Sequence, residues 1–145
     1  MFQIFRYTLI VSLLQLSLHA GDINLDKLIN TANKEKKHLL VWLHKTDCGY
    51  CERMKEFTIN DDDIKSIIKQ KFIFADINVY KKKNVKYKDF IGSAKEFAIY
   101  MGNDFYPTSL FFDEEGEVVE ETVGYVDETA FKKILEYISS KSYKE

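Results

Sequence analysis

Apolar positions along this chain follow two rhythms. Leu25, Leu28, Ile29 and Ala32 recur at spacings of three and four, which predicts an amphipathic helix that Asp22 or Asn24 would cap. A polar run over residues 33–38 ends it. Leu39, Leu40, Val41, Trp42 and Leu43 then follow without alternation, which suits a short strand buried on both faces. Residues 52–57 contain no breaker and read as helical. Asn60 caps a further helix, with Asp61, Asp62 and Asp63 in its positive first turn and Ile64, Ile67 and Ile68 as its stripe.

Phe72, Ile73, Phe74, Ala75 and Ile77 mark a second buried strand. Residues 78–88 carry Lys81, Lys82, Lys83, Lys86 and Lys88 and read as a solvated basic loop, or alternatively as a docking patch for an acidic partner. Phe90, Ala94, Phe97, Ala98 and Met101 indicate another helix, ended near Gly102 and Asn103. Residues 108–112 form a third strand, residues 113–116 a turn closed by Gly116, and residues 117–123 a fourth strand. That short turn predicts an antiparallel hairpin. Asp127 caps a last helix with stripe Phe131, Ile134, Leu135 and Ile138. Helix-linked strands followed by a hairpin imply an α/β fold with a mixed sheet.

Residues 1–20 do not fit this pattern. Arg6 precedes an apolar stretch from position 9 to 18, and Ala20 and Gly21 follow. This is the order of a secretory signal peptide, and the stretch is short for a membrane span. The expected organisation is a leader over residues 1–20 and one domain over residues 21–145. An uncleaved anchor or an ordinary N-terminal helix is the alternative.

Composition narrows the function. Of 145 residues, 46% are hydrophobic and 30% charged, which supports a packed core and excludes wholesale disorder. The formal net charge of −2 argues against nucleic acid as a partner. Two cysteines exclude a multi-disulfide scaffold.

Both cysteines lie in one unit, Cys48-Gly49-Tyr50-Cys51, between a strand and a helix start. Unsatisfied N–H groups at a helix start favour a thiolate. Cys48 would be the outer, attacking thiol, and Cys51, one turn along and facing inward, would resolve the mixed disulfide. A closed zinc site needs about four ligands. Beyond the leader the only histidines are His38 and His44, and His38 stands about 20 Å from the motif at the far end of a strand. A soft-metal site made of the two thiolates stays open, as does a structural disulfide, which would close a very small loop and constrain the unfolded chain little.

The lone proline, Pro107, opens the third strand in Tyr106-Pro107-Thr108. A strand running into Cys-Gly-Tyr-Cys at a helix start, then about 55 residues later Tyr-Pro-Thr before an apolar strand, then a hairpin and Gly124, resembles the thioredoxin superfamily. The likeness spans residues 25–138 and is greatest to secreted bacterial thioredoxin-like proteins, including Dsb-type domains. It implies a thioredoxin-like fold, a central mixed four-stranded sheet with helices on both faces. It also implies a cis Pro107 packed beside the dithiol, and an extended substrate pairing at Tyr106, with Tyr50, Tyr106, Pro107 and Thr108 as substrate-binding positions. Tyr50, Phe105 and Tyr106 would form an apolar rim, ordinary packing being the alternative.

The chain departs from cytoplasmic thioredoxins at three places. Asp47 stands where they carry Trp, Tyr50 where they carry Pro, and Trp42 where they bury an acid that accepts the inner thiol's proton. The resemblance implies a periplasmic thiol–disulfide oxidoreductase with Cys48 and Cys51 as its catalytic residues. It would have no cofactor, protein thiols and disulfides as substrates, and a membrane thiol electron donor. A monomeric reductase is expected rather than a primary oxidant, because no large helical insertion and no dimerisation domain is apparent. The competing function is a thioredoxin-fold binding module, a metal carrier or a chaperone for a folding client. If residues 1–20 form a cleaved leader, mass spectrometry of exported protein should find Gly21 at or near its N-terminus. Intact residues 1–20 on that form would establish an anchor instead.

Overall fold

The computed structural model describes residues 21–145, so the leader expected over residues 1–20 lies outside the described residues. The chain runs β1 (Ile23–Asn24), α1 (Leu25–Lys34), β2 (His38–His44), α2 (Gly49–Met54), a π-helical turn (Lys55–Ile59), α3 (Asp62–Lys71) and β3 (Phe72–Asn78). It continues through β4 (Asn84–Tyr87), β5 (Phe90–Ser93), α4 (Ala94–Tyr100), β6 (Thr108–Phe112), β7 (Val118–Val123) and α5 (Glu128–Ser139) to a 3-10 turn (Ser142–Lys144). The central sheet has the order β3-β2-β6-β7, with β2 parallel to β3 and β6 antiparallel to both β2 and β7. This is the expected mixed four-stranded sheet with helices on both faces.

The unbroken apolar run is the middle of that sheet. Side chains alternate across a strand, so β2 feeds two cores. Leu39, Val41 and Leu43 pack with Leu25, Ile29 and Ala32 of α1 and with Ala94, Phe97 and Ala98 of α4. Leu40 and Trp42 pack on the other face with Met54, Ile64 and Ile68, and with Phe131, Leu135 and Ile138 of α5. Burial of such side chains, at about 25 cal/mol per Å² of apolar surface, is the main force holding both layers to the sheet.

A second sheet corrects the expected basic loop at residues 78–88. β1, β4 and β5 form a three-stranded sheet, with β4 parallel to β1 and antiparallel to β5. Val85 and Tyr87 are buried while Asn84 and Lys86 are not, an alternation hidden by the lysine count. Lys86 Nζ donates to Asp26 Oδ2 at 2.5 Å, and the Lys88 backbone N–H donates to Asp26 Oδ1 at 2.8 Å. Lys88 Nζ also pairs with Glu117. These lysines are tied into the fold instead of forming a free basic patch.

The same sheet takes Phe90 out of the expected helix. Helix α4 starts later, at Ala94, where Ser93 and Glu96 exchange the two hydrogen bonds of a capping box. Other caps shift by a residue or are resolved between candidates: Asn24 caps α1, Asp61 instead of Asn60 caps α3, and Asp127 caps α5 as expected.

The end of β2 opposite the cysteines holds the C-terminal turn. His38 is buried, and its Nε2 lies 2.8 Å from the Tyr143 hydroxyl. Burial pushes the His38 imidazole below its ordinary pKa, with the Glu114 carboxylate opposing. Hydrogen bonds from Lys141, its own backbone N–H and Lys144 hold the Glu114 carboxyl down to about 2. Both folded-state values lie below the unfolded ones, so both groups stabilise at high pH and lose that contribution as pH falls. His38 loses it on falling below its ordinary value of 6.5, and Glu114 between 4.5 and about 2. Denaturant titrations should therefore show stability declining from pH 8 to pH 5, and His38→Gln should flatten that decline. An equal slope in the variant would refute the assignment.

Candidate functional site

The site forms where two loops leave adjacent strands. β2 and β6 pair with Leu43 opposite Thr108 and Trp42 opposite Ser109. The loop after His44 and the loop before Thr108 therefore meet at one end of the sheet. Cys48 is the N-cap of α2, and its Sγ accepts the backbone N–H of Cys51 at 3.2 Å. The pair is joined as a disulfide with Cα atoms 5.2 Å apart. Cys48 is 7% exposed and Cys51 2%, so both residues are buried.

The Tyr106–Pro107 peptide is cis. Cys48 Sγ lies 3.8 Å from the Tyr106 carbonyl oxygen, which puts this loop against the disulfide. Pro107 has no N–H to place beside the sulfurs. Its carbonyl accepts the Gly124 N–H at 2.7 Å, and Gly124 takes φ +91°, a conformation that side chains strain against. Among the described residues, the Tyr106 N–H and carbonyl have no backbone hydrogen-bond partner. Tyr50 and Phe105 are 68% and 74% exposed, and together with the exposed Tyr80 they give this end an aromatic rim.

Thr108 departs from its expected substrate-facing position. Its side chain is fully buried, and Oγ1 donates to the Phe105 carbonyl at 2.7 Å. It shapes the loop and offers no side chain to a substrate. The Tyr106 ring is partly buried, which raises its phenol pKa, and Lys45 Nζ sits 5.9 Å from the ring centroid. Arg53 lies over the Tyr125 ring at 5.3 Å. Asp47 occupies a left-handed turn, at φ +55°.

Beside the sulfurs stands a group of residues that spacing did not assemble. Trp42, fully buried in the inner-acid position, stacks on the His44 ring with centroids 4.4 Å apart and planes at 19°. His44 Nε2 lies 2.5 Å from Asp76 Oδ1. Asp76 is two strand positions from Asn78, the register partner of His44. The His44–Asp76 contact depends on the parallel pairing of β2 with β3, 32 residues apart, and only the strand prediction itself pointed to it. Among the described residues, no group of three or more His, Cys, Asp or Glu side chains is arranged to hold a metal ion.

The family model of the thioredoxin-like domain matches residues 25–139. The chain belongs to the thioredoxin-like domain family. No curated protein matches it. Among solved structures, a thioredoxin-fold protein from Helicobacter pylori is 24% identical over 83% of this chain and 86% of that one, with a TM-score of 0.66. The C-terminal domain of Neisseria meningitidis DsbD, in its reduced form, is 19% identical over 77% and 91%, with a TM-score of 0.56. It is similar in its oxidised form too. A DsbH oxidoreductase is 12% identical over 88% and 92%, with a TM-score of 0.59. These likenesses carry the thioredoxin-like fold. That fold with a Cys-x-x-Cys pair at the start of α2 fits thiol–disulfide oxidoreductase chemistry.

After reduction, limiting iodoacetamide should alkylate Cys48 before Cys51, as read by peptide mass mapping, because Cys48 caps the start of α2 and is the less buried of the two. Preferential labelling of Cys51 would reverse the two roles.

Proposed function

We propose that this protein is a periplasmic thiol–disulfide reductase working through Cys48 and Cys51, within a domain spanning residues 21–145. The observation that carries the reading is the meeting of the dithiol with the cis-Pro107 loop, whose Tyr106 carbonyl lies 3.8 Å from Cys48 Sγ. An extended substrate pairs its backbone with the free N–H and carbonyl of Tyr106. Its disulfide then lies against Cys48, with Tyr50 and Phe105 covering its apolar side chains.

The Cys48 thiolate attacks one substrate sulfur, forming a mixed disulfide and releasing the first substrate thiolate. Cys51 attacks Cys48 Sγ, closes the disulfide and releases the second. Each cycle moves two electrons to the substrate, so a donor must restore the dithiol. The leader over residues 1–20 points to export, and a membrane thiol protein is the donor suited to that compartment. The likeness to a DsbD domain known in reduced and oxidised forms, and to a DsbH oxidoreductase, supports thiol exchange. Between β3 and β6 the chain spends its residues on a hairpin and the short helix α4, not on a large helical insertion. This supports a reductase over a primary oxidant.

Reduction of insulin by dithiothreitol should accelerate with the wild-type protein. Cys48→Ser should return it to the uncatalysed rate, while Cys51→Ala should accumulate mixed disulfides. Equilibration with glutathione should give a potential nearer the thioredoxin value of about −270 mV than the oxidant value of about −120 mV. A wild-type rate equal to that of dithiothreitol alone would reject the enzyme, and metal retained by the reduced dithiol would then favour the carrier.

A further inference from the structure

Resolution of the mixed disulfide requires Cys51 to lose its proton, and the surroundings of this sulfur determine how. Cys51 is 2% exposed, and burial alone favours the neutral thiol. One side of Cys51 is nevertheless polar. Cys51 and His44 line the same cavity, of about 210 Å³, together with Trp42 and Glu52. Water, with a share of liquid volume of about 30 Å³, fits there.

The His44 ring is held from two directions. The Trp42 indole stacks on its face, and Asp76 Oδ1 lies 2.5 Å from its Nε2. The hydrogen bond from His44 lowers the Asp76 pKa against the opposing effect of burial, with the charges of His44, Lys55 and Lys81 adding to it. An ionised carboxylate only accepts, so Nε2 carries a proton, and in the neutral imidazole the lone pair is then on Nδ1. The His44 side chain is 15% exposed against 44% for Asp76, so the imidazole lies on the inner side of the pair.

We propose that His44, oriented by Asp76, accepts the Cys51 proton across this cavity when the mixed disulfide resolves; this deepens the dithiol reading and rests on it. The step balances. Through water in the cavity, the Cys51 thiol gives its proton to Nδ1, leaving a thiolate and an imidazolium. The thiolate forms the Cys51–Cys48 bond, and the bond from Cys48 to the substrate sulfur breaks. The substrate leaves as a thiolate and takes up a proton, which the imidazolium returns through water. One substrate disulfide becomes two thiols, and the protein dithiol becomes a disulfide.

Other charged groups border the same space. Lys45 and Asp47 from the loop after β2, and Glu52 and Lys55 from the helical segment, face the cavity. Lys81 and Lys83 border the outer side of Asp76. Glu52 is the rival acceptor, but its side chain is exposed and, among the described residues, has no hydrogen-bond partner to orient it.

The test separates the two chemical steps, using glutathione disulfide with the reduced full chain. In a Cys51→Ala background, formation of the Cys48–glutathione adduct is followed by mass. With Cys51 present, release of glutathione from that adduct is followed as a function of pH. His44→Gln should slow release at least about tenfold near pH 7 while adduct formation is unchanged. The gap should narrow as pH rises past the ordinary thiol value of about 8.5, as more Cys51 ionises without a base. Asp76→Asn, at a half-exposed position, should give a smaller loss of the same pH form, and it carries the test if His44→Gln does not fold. Superimposed pH profiles, equal slowing of both steps at every pH, or a loss that appears with Glu52→Gln instead would overturn the proposal. Adduct formation and release that ignore His44 reject this proposal and leave the dithiol reading intact. Failure of the wild-type protein to form an adduct at Cys48 rejects both.

Discussion

The antiparallel pairing of β2 with β6 is the constraint on which the site depends. Leu43 opposite Thr108 leaves the cysteine loop and the proline loop projecting from the same end of the sheet. No contact within either loop would bring them together across more than 50 residues of chain. The pairing is fixed because a slip by one residue would turn every buried side chain of β2 to the wrong core. Leu39, Val41 and Leu43 are needed on one face, and Leu40 and Trp42 on the other. The energy that sets the geometry of the sulfurs is therefore spread over two hydrophobic cores, and little of it lies in the loops.

The two ends of β2 show how one strand supports different polar arrangements. At its start, His38 is buried against Tyr143, and the C-terminal turn is tied to the Glu114 carboxylate by Lys141 and Lys144. At its end, His44 is held by Trp42 and Asp76 beside the Cys51 cavity. One histidine closes the structure, and the other faces a space that borders a sulfur. His38 is buried and His44 partly so, and each ring has a hydrogen-bond partner.

The small β1-β4-β5 sheet shows where residue patterns mislead. Five lysines between positions 81 and 88 suggest a solvated loop. The structure places Val85 and Tyr87 in the core and ties Lys86 and Lys88 to Asp26 and Glu117. Strands of two to four residues present too few alternations for periodicity to stand out. Their pairing is settled by neighbours distant in sequence: Asp22, whose carboxylate accepts the Asn84 N–H, and Asp26.

What the sequence determined by itself is local chemistry and long-wavelength pattern. The double-faced run at Leu39 to Leu43, the helical stripes, the Cys-x-x-Cys unit and the proline before an apolar strand are each readable within a few residues. Together they were enough for the fold class, and for the likeness that implied the cis proline loop beside the sulfurs. Tertiary structure alone decided the rest. It buried the Thr108 side chain, which the family resemblance had offered to a substrate, and its hydroxyl is satisfied by the Phe105 carbonyl. It also joined His44 to Asp76 beside Cys51 through the register of β2 on β3. Spacing along a chain reports which residues share one face of one element. Which residues face each other across two elements depends on strand order and register, and packing of the whole core sets these.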